Sequence, residues 1–314
     1  MALRGSEYII GFPGPAGPLP HYPRTPLFPS PDAMLTPTDH DRDTAGLTYV
    51  YPVISRRARG VSLGINLNVN NACNWACVYC QVPNLTRGGP PPVDLALLER
   101  ELRSFLERLL HGDFMAREVP EDARRLSDVA FSGNGEPTSS PEFPEAVERV
   151  IAVLDDLGIR GEGGANLPIR LITNGSLMHR ESARRSVARI GAYGGEVWFK
   201  VDRATAAGIA AVNGVNLSPE HQRINLLRCC DLAPTWLQTC VFGRDGRPPE
   251  ESELQAYVDF AAGVADRIQG IHLYGIARQV MQPGGDHLQR LPAASLDALA
   301  GRLKEKGLKV TVSP

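Results

Sequence analysis

From Val61 onward, apolar runs of strand length alternate with apolar stripes of helical period, and few folds accommodate that rhythm. Strand-like runs lie at about 61–70, 127–132, 168–173, 195–201, 235–242, 268–276 and 307–313. Between the first two, Leu95, Leu97, Leu98, Leu102, Phe105, Leu106, Leu109 and Leu110 form an i, i+3, i+4 stripe. Comparable stripes occupy 143–157, 180–191, 219–231, 251–266 and 293–305. Strand–helix alternation makes the strands parallel and the crossovers right-handed. Six or seven units predict an α/β fold, a partial (β/α)6-type barrel of parallel strands, with its chemistry at the carboxyl ends of those strands.

The chain ahead of the barrel differs. Residues 1–48 form a proline-rich N-terminal arm, with Pro13, Pro15, Pro18, Pro20, Pro23, Pro26, Pro29, Pro31 and Pro37, and residues 49–314 are the core. Proline removes backbone donors and blocks helix and inner strand. The arm is therefore expected to be extended, and its apolar side chains (Tyr8, Ile9, Ile10, Phe12, Leu19, Tyr22, Leu27, Phe28) favour wrapping over disorder. A short strand or turn is expected at 48–51. No apolar run approaches the roughly 20 residues of a membrane span. The first residues lack a basic segment followed by an apolar core, so no secretory signal is expected. Six cysteines in 314 residues do not make a disulfide framework, which points to a reducing, cytoplasmic setting.

Three of those cysteines, Cys73, Cys77 and Cys80, are packed into a C-x3-C-x2-C loop just after the first strand. Thiolates are soft ligands that select zinc, copper(I) or iron–sulfur clusters. A structural zinc site wants four ligands, and no second pair of that spacing exists in the sequence. Three cysteines can instead hold three irons of a [4Fe–4S] cube and leave the fourth iron open. Cys229, Cys230 and Cys240 read as small buried hydrophobes.

Other candidates follow the strand ends. The second strand runs into Gly133-Asn134-Gly135-Glu136, a turn that allows close backbone approach and adds a carboxylate. The third ends at Thr173-Asn174-Gly175, which can also be a plain turn. Lys200 and Asp202 share one face of the fourth strand, placed either to meet a ligand or only to pair with each other. Gln238 shares a face with Cys240 on the fifth. Arg278 enters a Gly/Pro loop after the sixth, where His287 reads as a solvated loop residue.

The cysteine spacing, with an aromatic residue before Cys80, resembles the signature loop of the radical SAM superfamily. Together with Ser132-Gly-Asn-Gly-Glu-Pro-Thr138, Leu171-Ile-Thr-Asn-Gly-Ser176 and Phe199-Lys-Val-Asp202, it is most similar to the branch containing tRNA 4-demethylwyosine synthase, over about 61–314. The resemblance implies that Cys73, Cys77 and Cys80 bind a [4Fe–4S] cluster. Its open iron would chelate S-adenosylmethionine, and reductive cleavage would give methionine and a 5′-deoxyadenosyl radical for hydrogen abstraction. It further implies that Gly133, Asn134, Gly135 and Glu136 hold the methionyl ammonium and that Thr173 and Asn174 lie near the ribose. Tyr79 is the candidate for the adenine, and Gln238 joins the cofactor contacts. Lys200, Asp202 and Arg278, with Gln238, would orient the substrate. A reductant of flavodoxin or ferredoxin type is implied as partner.

That branch carries further cluster cysteines upstream of the loop, whereas no cysteine precedes Cys73 here. A net charge of −2 also supplies no global basic surface for nucleic acid. Cofactor chemistry is therefore carried over and the substrate is not. The alternatives are a wyosine-type tRNA-modifying enzyme and a non-catalytic iron–sulfur electron-transfer protein.

Overall fold

The computed structural model describes residues 35–36, 46–58, 60–159 and 167–314. Most of the expected proline-rich arm lies outside the described residues. Within it, Leu35 is buried in the core and its N–H donates to the Glu118 carbonyl at 2.7 Å.

One eight-stranded sheet runs in strict chain order. Its members are β1 (Val50–Ser55), β2 (Gly60–Ile65), β3 (Leu126–Phe131), β4 (Ile169–Thr173), β5 (Glu196–Lys200), β6 (Thr235–Cys240), β7 (Gly270–Tyr274) and β8 (Val310–Ser313). From β2 to β8 every neighbouring pair is parallel, and β1 is antiparallel to β2. The sheet edges, β1 and β8, do not pair, so the barrel stays open, as the alternation predicts.

Helices α1 (Leu95–His111), α2 (Phe143–Asp156), α3 (Glu181–Ala192), α4 (Ala206–Asn213), α5 (Pro219–Cys230), α6 (Glu251–Ala262) and α7 (Ala293–Glu305) lie between strands. All the expected stripes are helical. Period-2 alternation sends Val61, Leu63 and Ile65 of β2 outward, fully buried with Leu98, Leu102, Phe105 and Leu106 of α1. Asp94 opens α1 by accepting the Leu97 N–H at 2.9 Å.

Three expectations need correction. The strand expected at 48–51 is a six-residue strand displaced to Val50–Ser55. Pro52 masks it in the sequence, yet proline is tolerated on an edge strand. The first inner strand, expected over 61–70, stops at Ile65. Beyond it the Asn66 side chain accepts the Asn68 N–H at 3.1 Å, and Asn71 sits at φ 58°. Such asparagine turns compete with the sheet ladder. Helix α4 was not expected, because its Ala- and Gly-rich sequence shows no polar–apolar stripe. Thr205 caps its start by accepting the Gly208 N–H at 2.9 Å, and Gly214, left-handed at φ 65°, ends it.

Candidate functional site

The concave face holds a cavity of about 270 Å³, with one wall formed by the cysteine loop and the ends of β3 and β4. The loop is anchored from across the barrel by the end of α4. Ala76 and Val78 donate their N–H groups to the carbonyls of Asn213 and Val212, at 3.1 and 2.9 Å. Asn213 also reaches the Cys77 Sγ through its Nδ2 at 3.3 Å, and the Trp75 N–H reaches the Cys73 Sγ at 3.4 Å. All three loop cysteines are free and partly exposed to the cavity.

Asparagine side chains tie the loop to the neighbouring strand ends. Asn66 Oδ1 accepts the Asn134 N–H at 3.0 Å, and Asn134 Nδ2 donates to Asn71 Oδ1 at 2.5 Å. Asn174 Nδ2 donates to Asn74 Oδ1 at 2.9 Å, while Asn74 Nδ2 donates to Ser176 Oγ at 2.8 Å. Gly133 runs at φ 139°, and a Cβ there would lie 2.4 Å from Asn66 Oδ1. Gly175 runs at φ 69°, and its Cβ would lie 2.0 Å from the Phe199 ring. Only glycine fits either place.

Glu136, 2% exposed, is the knot between the two strand ends. Its Oε1 accepts from Thr138 Oγ1 and Thr173 Oγ1, both at 2.6 Å, and its Oε2 accepts the Asn174 N–H at 2.7 Å. Burial raises its pKa above the usual carboxylate range, against the pull of these donors.

The opposite wall comes from β5, β6 and β7. Lys200 Nζ donates to Tyr274 Oη at 2.8 Å, stands 3.9 Å from Asp202 Oδ1 and lies 5.0 Å above the Tyr79 ring. Burial works against its ammonium, but Asp202 and Tyr274 more than reverse this, so it stays charged. Below, an ion-paired layer crosses the barrel. Asp128 is paired with Arg170 and Ser62, and Arg170 Nε meets Glu196 Oε1 at 2.6 Å. Glu196 also takes the indole N–H groups of Trp198 and Trp236, both at 3.0 Å. His272 stacks on Trp236 at 4.7 Å and bonds Thr311 Oγ1 at 2.7 Å through Nδ1, and burial pushes its pKa down to about 3.

The cavity gathers Cys73, Cys77, Cys80, Tyr79, Gly133, Asn134, Gly135, Glu136, Asn174, Lys200, Gln238 and Arg278 from the expected set. Thr173 and Asp202 stand behind the wall. Thr173 supports Glu136. Asp202 is saturated by Tyr79 Oη (2.5 Å), Asn213 Nδ2 (2.8 Å) and the Cys240 N–H (2.9 Å), so it braces the site instead of facing a ligand. The Tyr79 hydroxyl is likewise turned to Asp202, with its ring 5.6 Å from that of Phe242. Asn66, Asn68, Asn71 and Asn74 were missed. Five asparagines within residues 66–74 were the available signal. His287 is exposed, as expected, and bonds Asp245 at 2.6 Å.

Residues 67–202 match the family described as the Radical SAM superfamily. The match takes in the cysteine loop and β3 to β5, somewhat under half of the chain. The chain is 25% identical over 136 residues to a protein named GTPase Obg of Brachyspira hyodysenteriae, covering 42% of this chain and 16% of that one. It is 31% identical over 156 residues to UPF0026 protein MJ1312 of Methanocaldococcus jannaschii, covering 48% and 39%. The chain thus spans well under half the length of either relative. Among solved structures, a radical SAM methyltransferase from Sphaerobacter thermophilus superposes with a TM-score of 0.53 at 13% identity, covering 84% of this chain and 68% of that one. That likeness speaks to the fold.

The radical SAM family implies S-adenosylmethionine and an iron–sulfur cluster, and the donor set fits them. Among the described residues no three metal-binding side chains gather about one point, as a single ion would require. A cube instead takes one thiolate at each of three corners. Burial pushes the Cys73 thiol up to about 11 and the Cys77 thiol up to about 12, with Lys200 and Asn213 opposing at Cys77. Metal charge reverses that balance on binding, because a coordinating thiol is deprotonated. No described helix is long and apolar enough to cross a membrane.

Proposed function

We propose that this radical SAM enzyme cleaves S-adenosylmethionine reductively to methionine and a 5′-deoxyadenosyl radical, which takes hydrogen from a substrate held in the same cavity. The observation that carries this reading is the continuity of three free thiols, a glycine- and asparagine-shaped wall and a cavity of about 270 Å³. The [4Fe–4S] cluster supplies, when bound, the electron and the open iron that chelates the amino-acid end of the cofactor.

The chain's own residues divide the remaining work. Cys73, Cys77 and Cys80 hold three irons and give up their protons on loading. The turn Gly133–Gly135 offers backbone groups at close range, and Glu136 fixes that turn through Thr173 and the Asn174 N–H. Asn174 lines the cavity where a ribose would meet it. Lys200, Gln238 and Arg278 face the space left for a substrate, and the apolar ring faces of Tyr79 and Trp198 limit water there. A reductant of flavodoxin or ferredoxin type would deliver the electron. An electron carrier would need no such cavity beside its thiols, and a net charge of −2 gives the tRNA-modifying reading no global support.

The test is anaerobic incubation of reconstituted chain with dithionite and S-adenosylmethionine, followed by chromatography. Methionine and 5′-deoxyadenosine are the expected products, formed slowly even without substrate. A 3-amino-3-carboxypropyl product would replace the deoxyadenosyl assignment. Neither binding nor cleavage would leave the electron carrier standing.

A further inference from the structure

The β1–β2 turn carries Arg56 and Arg57 to the floor of the half-barrel, and no motif had marked either. Arg57 rises inside the barrel, its guanidinium carbon 4.8 Å from the Tyr274 ring centroid and 5.3 Å from that of Trp198. It lines the cavity. Burial lowers its pKa, opposed only in part by the Tyr274 hydroxyl, to which it hydrogen-bonds, and by the more distant Asp128, and no ion pair to a carboxylate forms among the described residues. The nearest acidic candidates are committed elsewhere. Asp128 is taken by Arg170 and Ser62, Glu196 by Arg170 and two indoles, and Asp202 by Tyr79, Asn213 and the Cys240 N–H.

Two more donors converge on the same wall. Lys200 points at Tyr274 Oη, so its ammonium and the Arg57 guanidinium flank one phenol. Gln238, paired in register with both Lys200 and His272, is 1% exposed, lines the cavity, and its Nε2 has no partner among the described residues. A buried donor left unmatched is costly, and a cation without an ion pair more so. The wall thus holds a guanidinium and an ammonium, with the Tyr274 hydroxyl as their shared acceptor, and an amide without one. A group made only of acceptors relieves the imbalance, and a planar carboxylate or a phosphate matches the guanidinium fork.

We propose that Arg57, Lys200 and Gln238 form an anion subsite, and that the substrate of this enzyme carries a carboxylate or phosphate which docks there. The proposal rests on the radical SAM reading for the word substrate, while the subsite itself rests on the donor surplus. A carboxylate at this wall has two sources, the substrate and the methionyl end of S-adenosylmethionine. Arg57 enters from the β1–β2 turn, at the end of β2 opposite to the one that leads into the cysteine loop, and this favours the substrate.

The experiment is anaerobic calorimetry on the reconstituted full chain, titrated with sodium malonate and with inorganic phosphate, with and without saturating S-adenosylmethionine. At least one anion should bind saturably and to the same extent with S-adenosylmethionine present. Arg57→Gln should weaken that binding at least tenfold, Arg57→Lys should restore part of it, and Gln238→Leu should weaken it by a smaller factor. Circular dichroism checks that each variant folds. If Arg57→Gln does not fold, Gln238→Leu and Lys200→Met carry the decision. Unchanged anion affinity in the folded variants, or no saturable binding by wild type, overturns the subsite. Complete competition by S-adenosylmethionine assigns the wall to the cofactor's own carboxylate and overturns the substrate claim. Calorimetry includes no cleavage step. A chain that binds malonate through Arg57 yet forms no 5′-deoxyadenosine would therefore sink the radical reading and keep the subsite.

Discussion

On the wall built by the cysteine loop, β3 and β4, the named polar groups are matched: Glu136 by four donors, and Asn66, Asn74, Asn134 and Asn174 by one another and by backbone. At the wall built by β5, β6 and β7, Arg57 from the β1–β2 turn forms no carboxylate ion pair and Gln238 Nε2 meets no partner among the described residues. The first wall is finished before any ligand arrives, which suits the cofactor-binding role proposed for it. The second is left short of acceptors, and a substrate can be chosen by what it brings. Preorganisation and specificity are thus separated within one cavity.

The sharpest way to break this comparison is at the thiols. Cys73→Ala, Cys77→Ala or Cys80→Ala should each take iron from about four per chain to almost none, while Cys229→Ser keeps it. Iron and sulfide analysis after reconstitution decides the matter, and half-retention in all three variants would reveal another cluster. Next comes the layer beneath the second wall. Arg170→Met leaves the buried Asp128 and the half-buried Glu196 without their cation and should cost about 3–5 kcal/mol in urea unfolding. A loss under about 1 kcal/mol would show that this layer braces nothing.

Glu136→Ala strips acceptors from Thr138, Thr173 and Asn174, so about 2–3 kcal/mol of stability should go, with roughly tenfold weaker S-adenosylmethionine binding following from the loosened turn. Weaker binding at full stability would instead place the carboxylate on the ligand. The effect that is smallest near neutrality is graded by pH. Folded His272 stays neutral down to about 3, whereas an unfolded histidine takes its proton near 6.5. Its contribution is complete above about 6.5 and is lost as pH falls, at up to roughly 1.4 kcal/mol per unit. His272→Gln should flatten that slope in unfolding titrations between pH 6.5 and 4.5, and an identical slope would mean that other groups set it.

The barrel and the finished wall were largely legible in the sequence. Strand–helix alternation is a local pattern, and Cys73, Cys77, Cys80 and Gly133–Glu136 announce themselves by spacing. What could not be read depends on distance in space. Asp202 looked like a contact because it shares a face with Lys200, but Tyr79, Asn213 and Cys240, far apart in sequence, claim its oxygens. Arg57 gave no signal, because a turn before the barrel becomes its floor only once β1 has paired with β2. Helix α4 was hidden because its exposed face is alanine, so no polar residues contrast with the buried Ile209 and Val212.

That helix sets a schedule for the growing chain. Asn213 touches Cys77 across 136 positions, so the thiols emerge from the ribosome long before the helix end that frames them. At about 5–20 residues per second the interval is roughly 7 to 27 seconds. During that time the cysteine loop is a bare peptide, open to oxidants and to stray metal. A cluster held by these thiols could therefore take its native frame only after residue 213 has been made.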